Sequence, residues 1–332
     1  MKNGQARFEY FLKQLEELFV KSSKQKNPAL WLYQHNARTP LFMLEALSKL
    51  YGAIHNKKKF GKLKEQFKVL EDAIGAIDYY DSYAKELTGN KNIPVTVTGY
   101  MQAQSREKIQ SLNEILKEKK WLDKDNTRMT KIRKRLAKAD WQNEKEDIKS
   151  IQAYYITAIN KILEFINEKD FHFTNVEDDV HEFRRKIRWL SIYPQALRGG
   201  IQLSVSKTAM PEYLSKYLTK EITGSKYNVM PDAGTQKYFL LLEKNRFYAL
   251  SWTIAELGNL KDNGLKVEVI KEAVLQTSKT NKKSALTQAY KLCGPEQITI
   301  QQILDTAEKL CKTYCKEKNL ESLITGVATV KK

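Results

Sequence analysis

Apolar positions recur at helical spacing along almost the whole chain. Residues 5 to 22 set Phe8, Phe11, Leu12, Leu15, Leu18 and Phe19 on one face, and a polar run at 21 to 27 closes the pattern. Residues 28 to 54 predict a second helical stretch, in which Pro40 must kink the axis or occupy a first turn. Further amphipathic helices are predicted at 60 to 87, with Leu63, Phe67, Leu70, Ile74 and Ile77, at 101 to 120, at 128 to 139, and at 143 to 167, with Ile148, Ile151, Tyr155, Ile159, Ile162 and Ile166. The VTVT run at 95 to 98 is locally strand-like, but one isolated β-branched patch makes no sheet, so it predicts a helix entry.

The second part of the chain continues the pattern. Thr174 and Glu177 fit a capping box, Asp178 and Asp179 put negative charge in the first turn, and Gly199 and Gly200 end the helix that follows. Residues 200 to 231 are less regular, with a short helix around 211 to 222, and read as an insertion. Helices are then predicted at 236 to 260, 265 to 278, 285 to 293 and 298 to 318, with a frayed tail at 325 to 332. The expected fold class is all-α.

Composition supports that reading. The 332 residues include only 14 Gly and 7 Pro, well under the usual shares of about 7% and about 5%, and 42% of positions are hydrophobic. Charge adds something new: 57 Lys and Arg against 39 Asp and Glu leave a net +18, which favours polyanionic partners over acidic proteins or neutral metabolites. No long uninterrupted apolar run and no signal-like core is present at the N-terminus, so the chain is expected to be soluble and cytoplasmic, with no membrane partner. Cys293, Cys311 and Cys315 have no CxxC spacing and read as idle thiols.

The basic residues are ordered. In VHEFRRKIRWL, residues 180 to 190, His181, Arg184, Arg185 and Arg188 stand at i, i+3, i+4 and i+7, a cationic stripe beside an apolar one formed by Phe183, Ile187 and Leu190. Guanidinium forks match phosphate oxygens bidentately, so such a stripe suits an extended anion. An earlier pair, His35 and Arg38, repeats the HxxR spacing roughly 146 residues upstream. LEDAIGAIDYYD at 70 to 81 likewise echoes IAELGNLKD at 254 to 262, and together these predict an internal duplication.

The paired HxxR helices and LGxxxD-like helices resemble the CHAD domain, named for its histidines and α-helices. The resemblance spans nearly the whole chain and is most specific at His181, Arg184, Lys186 and Arg188. It implies a single domain over 1 to 332 made of two pseudo-symmetric four-helix bundles, halves 1 to 170 and 171 to 332. It also implies non-catalytic binding of inorganic polyphosphate in a basic groove lined by the two His/Arg helices, without cofactor or metal, and association with polyphosphate granules. The first copy departs from the family: Thr39, Pro40, Leu41, Phe42 and Glu45 replace further arginines, Lys49 is the next cation on that side, and Asp78 stands where an arginine is common. The grip is therefore expected to centre on the second helix.

The candidate polyphosphate ligands are His35, Arg38, Lys49, His181, Arg184, Arg185, Lys186 and Arg188, with Arg128, Lys131 and Arg135 extending the track and the basic run at 57 to 68 as a further stretch. His181 alone reads as a structural histidine; among arginines near a helix N-terminus its charged form is disfavoured, which predicts proton uptake on polyanion binding. Glu177 and Asp178 could converge with His181 on a metal, but no second Glu-x-x-His exists to complete a di-iron bundle. Trp189, Tyr193, Tyr248 and Trp252 fall among aliphatics and read as core. No P-loop, dinucleotide fingerprint, nucleophile elbow, zinc pattern or ExExK triphosphatase strand is present. A nucleic-acid-binding helical protein and an accessory protein of phosphate metabolism remain the alternatives.

Overall fold

The structure is a computed structural model that describes residues 1–123 and 126–329. It is mostly helical. Helix α1 (Asn3–Ser22) buries Phe8, Leu12, Leu15 and Phe19, the face its periodicity predicts. The stretch at 28 to 54 is two helices: α2 (Pro28–Gln34), with Pro28 in the first turn and the Asn27 side chain accepting from the Leu30 N–H, and α3 (Arg38–Ile54). Asn36 turns the chain between them at φ 56, a left-handed conformation that asparagine tolerates, and Pro40 sits harmlessly in the first turn of α3. Then come α4 (Lys57–Leu87), α5 (Val95–Glu118), α6 (Thr127–Ala137) and α7 (Glu144–Glu168). The VTVT run enters a helix, as predicted.

A π-helical turn (Val176–His181) leads into α8 (Glu182–Ala196). The predicted capping box is replaced here. Asn175, not Thr174, accepts from the N–H groups of Glu177 and Asp178, while Asp179 accepts from the backbone of Thr174 and Asn175. Residues 200 to 231 hold strand β1 (Ile201–Ser204), a 3-10 turn (Glu212–Tyr217), the short α9 (Lys220–Thr223) and a second 3-10 turn (Lys226–Asn228).

Three expectations about the later chain are corrected. Residues 236 to 260 are not one helix: β2 (Tyr238–Glu243) precedes α10 (Lys244–Thr277), whose 34 residues absorb the helix expected at 265 to 278. After α11 (Lys282–Cys293) and α12 (Ile300–Lys316), the tail is not frayed but forms β3 (Ile324–Thr329); residues 330 to 332 lie outside the described residues. β1 pairs parallel with β2, and β2 antiparallel with β3, in a small sheet. The three strands find one another from far apart in sequence, which local pattern cannot reveal. No helix among the described residues is long and apolar enough to cross a membrane.

The apolar faces build two cores. The larger runs from Phe8 to Leu323 and draws on residues from both sides of position 170. The smaller joins the far ends of α4 and α10 to α5 and α11, through Tyr83, Leu87, Met101, Val267, Ile270 and Ala285. The two longest helices thus run through both cores. Beneath the large core, buried Arg7 donates to Asp147 at 2.5 Å, to the Tyr51 hydroxyl at 2.6 Å and to the Leu197 carbonyl at 2.9 Å, locking α1, α3, α7 and the end of α8 together.

Candidate polyanion cleft

On α3, Arg38, Phe42, Glu45 and Lys49 fall at i, i+4, i+7 and i+11, one face of the helix. On α4, Lys64, Lys68, Glu71, Gly75 and Asp78 form another such face. The Arg38–Phe42 end of the first face, the Glu71–Asp78 end of the second, and α8 border a cleft of about 610 Å³. Arg38, Thr39 and Phe42 line one side, Arg188, Ser191 and Gln195 another, and Ser251 and Ile254 of α10 the floor.

The irregular stretch after α8 supplies the last wall, through Ile222, Ser225, Tyr227 and Asn228. Gln195 pins it by donating to the carbonyls of Tyr227 (3.1 Å) and Val229 (2.7 Å), and Ser251 donates to Asn228 at 2.7 Å. Sequence alone reads this stretch as an insertion, with nothing to tie it to the site.

Arg38 and Arg184 occupy matching settings. The Arg38 guanidinium lies against Gly75, where an added Cβ would come within 2.9 Å of Nη2; Arg184 lies against Gly258, where it would come within 3.1 Å. The echoing segments at 70 to 81 and 254 to 262 therefore each provide a bare helix surface under an HxxR arginine. Their neutralisation differs. Arg38 donates to Glu71 at 2.7 Å and lies 3.4 Å from Asp78, whereas among the described residues Arg184 donates only to the Ile254 carbonyl, at 3.1 Å.

Arg188 is the exceptional cation. Its guanidinium sits 4.6 Å over the Phe42 ring, and among the described residues no carboxylate comes within ion-pair distance of it. Burial pushes it down to about 10, Arg184 and Arg38 push the same way, and Glu71 pulls against them. Phe42 stacks in turn on Trp189 at 5.2 Å, and Lys49 lies 4.3 Å over that indole. Burial, then Lys64 and, beyond Glu45's opposing pull, Arg185 and Lys186, bring the Lys49 amine down to about 8. The Phe42 and Trp189 rings pack against the large core, as the spacing of Trp189 among aliphatics predicts, and also lie beneath Arg188 and Lys49.

The remaining candidates scatter. Arg185 pairs with Glu182, and Lys186 lies 3.2 Å from the same carboxylate and 4.9 Å over Phe165; Lys49 feels both charges, but neither residue lines the cleft. His181 shares a hydrogen bond with Glu177 at 2.8 Å and caps no part of the cleft. His35 is exposed, stacked on Trp31 at 3.8 Å, and belongs to the end of α2 rather than to the α3 helix that carries Arg38. The expected continuous stripe of His181, Arg184, Arg185 and Arg188 is therefore divided, because packing against α3 and α10 turns Arg184 and Arg188 inward. Arg128, Lys131 and Arg135 lie on α6, which packs on α1 and does not border the cleft. Among the described residues no cluster of His, Cys, Asp and Glu is arranged to hold a metal ion.

Compared with known proteins, the chain matches no family model, no curated protein and no solved structure.

Proposed function

We propose that this protein is a non-catalytic, cytoplasmic binder of inorganic polyphosphate, related in plan to the CHAD domain, which grips the chain along the cleft between α3 and α8. The observation that carries the reading is Arg188: a guanidinium withdrawn from water, without a counter-ion among the described residues, and pressed by two further arginines. Withdrawing a cation from water without pairing it is costly, and a polyanion entering the cleft would offset that cost. Lys49, lowered by the same kind of crowding, extends the path away from Arg188 toward Lys64, Arg185 and Lys186. A bare, flexible phosphate chain fits a 610 Å³ cleft with an apolar floor better than a strand carrying bulky bases.

The matched Arg38–Gly75 and Arg184–Gly258 contacts support an internal duplication, two halves of one ancestral plan whose first copy has acquired its own carboxylates. In this reading Arg188 does the binding inside the cleft, Arg184 and Lys49 add charge from beyond its lining, through their contacts with Ile254 and Trp189, and His35 and His181 hold local structure.

Titration calorimetry with long-chain polyphosphate at about 0.15 M salt, where loose attraction is screened, tests the proposal. Saturable binding that single-stranded DNA of equal charge fails to displace is expected; displacement at equal phosphate concentration would overturn the reading. Incubation with polyphosphate and Mg²⁺, followed by chain-length analysis, should leave the polymer intact, and shortening would make the protein an enzyme.

A further inference from the structure

The cations of α6 form a second surface, and its form differs from that of the cleft. Arg128, Lys131 and Arg135 stand at i, i+3 and i+7, one outward row about 10 Å long at the helical rise. A depression lies at each end of the row. One, of about 130 Å³, is bordered by Lys119, Lys120, Arg128 and Lys131, with Glu118 the sole carboxylate of its lining among the described residues; the other, of about 330 Å³, is bordered by Lys58, Lys59, Lys62 and Arg135, with no carboxylate among the described residues.

None of these eight cations forms an ion pair among the described residues, although Arg133, on the inner side of the same helix, is fully engaged by Glu9 and Glu16. Two acids of this region are thus spent on the face that packs against α1, and among the described residues the outer face keeps its cations with Glu118 alone beside them. Arg128 sharpens the point. Its Nε is buried without a hydrogen-bond partner while its guanidinium lies 4.9 Å over Trp121, and burial with Arg135 nearby lowers its pKa.

This surface is separate from the cleft. Two residues along a helix turn it through about 200°, so Lys62 faces away from Lys64, which points to Lys49. α4 therefore carries two cationic flanks on opposite sides.

The chemistry narrows the partner. Met129, Ile132 and Leu136 of α6 are at most 2% exposed, so the helix offers no apolar face to a membrane. Trp121 is 1% exposed and covered by Arg128, so it offers no stacking platform for unpaired bases. What remains is an open row of Lys and Arg with hollows at either end, suited to charged backbones presented on a rigid duplex and read without base contacts.

We propose that the outer face of α6, with the start of α4, is a second binding site that holds the phosphodiester backbone of double-stranded nucleic acid, independently of the cleft. The protein would then bring a duplex and a second polyanion onto one chain.

Fluorescence anisotropy with a labelled DNA duplex of about 20 base pairs tests this. Contact with about four phosphates predicts a log–log salt slope near −3.6, a loss of about a hundredfold between roughly 0.05 and 0.2 M salt. Lys131→Gln with Arg135→Gln should weaken duplex binding more than about tenfold and flatten that slope by about 2, whereas Arg188→Met should leave it within about twofold. Circular dichroism of the double variant checks that α6 remains folded. Absence of duplex binding at roughly 0.05 M salt, tighter binding of single strands or of anionic vesicles, or loss of duplex binding in Arg188→Met with retention in the α6 variant would each overturn the proposal. The polyphosphate reading would stand or fall separately, on calorimetry of Arg188→Met.

Discussion

Two regions of this molecule withdraw an arginine from water, and they do so to opposite effect. Around Arg7 every direction is answered: Asp147, Tyr51, the Leu197 carbonyl and Gln236 all accept from its guanidinium. Burial works against its charge, yet Tyr51 and Asp147 raise its pKa above the ordinary value. Around Arg188 no carboxylate among the described residues comes within ion-pair distance, the Phe42 ring lies beneath, and burial, helped by Arg184 and Arg38, outweighs the pull of Glu71, so its pKa falls. A compensated arginine is a structural joint. An uncompensated one at the wall of a cleft is the residue on which the proposed anion binding rests, and the difference lies in the partners rather than in the residue type.

The comparison breaks most sharply under substitution. Arg7→Met should cost about 3–5 kcal/mol in urea unfolding, because it strands buried Asp147. Arg188→Met should leave stability within about 1 kcal/mol of wild type or slightly above it, while weakening polyphosphate binding about 10- to 100-fold by calorimetry. If Arg188→Met unfolds the protein, the cleft arginine is a joint after all.

Lys49 gives a smaller effect with a definite sign. Its amine titrates near 8 in the free protein, and a bound polyanion should raise that value, so the lysine's contribution is complete below pH 8 and is lost as pH rises. Affinity should fall about tenfold between pH 7 and 9, with proton uptake near pH 8, and both should vanish in Lys49→Met. The same depressed value means the wild type gains stability relative to that variant as pH rises from about 8 to 10.5, where only the unfolded amine still holds its proton. A pH-independent affinity in the wild type would remove Lys49 from the path.

Smaller still is the effect of releasing Arg38. Glu71→Gln with Asp78→Asn should tighten polyphosphate binding about three- to fivefold, by making the first half resemble the second, and cost about 1–2 kcal/mol for the buried Glu71 pair. Unchanged affinity would show that Arg38 cannot reach the ligand. The gentlest changes are Gly75→Ala and Gly258→Ala, each crowding only the far end of an arginine while gaining up to about 1 kcal/mol of helix propensity. Melting temperatures should move by no more than a few degrees, and in the same direction; opposite shifts would deny that the two contacts are equivalent.

The sequence by itself determined most of the helices, because apolar periodicity is a local property: Phe8, Leu12 and Leu15, or Ile148, Ile151 and Tyr155, mark their buried faces without reference to anything distant. It also singled out Arg38, Lys49, Arg184 and Arg188 and the echoing glycine segments. It did not separate Arg184 and Arg188 from Arg185 and Lys186, since a helical wheel gives angles but not what each angle meets. Only the tertiary structure decided that Phe42 slides beneath Arg188, that Glu71 neutralises Arg38 from α4, and that residues 222 to 228 wall the cleft. The same holds for the sheet, where β2 meets β3 across the whole of α10, α11 and α12. The physical reason is shared: periodicity is written within a few turns of one helix, whereas desolvation, counter-ions and strand pairing depend on groups contributed from remote parts of the chain.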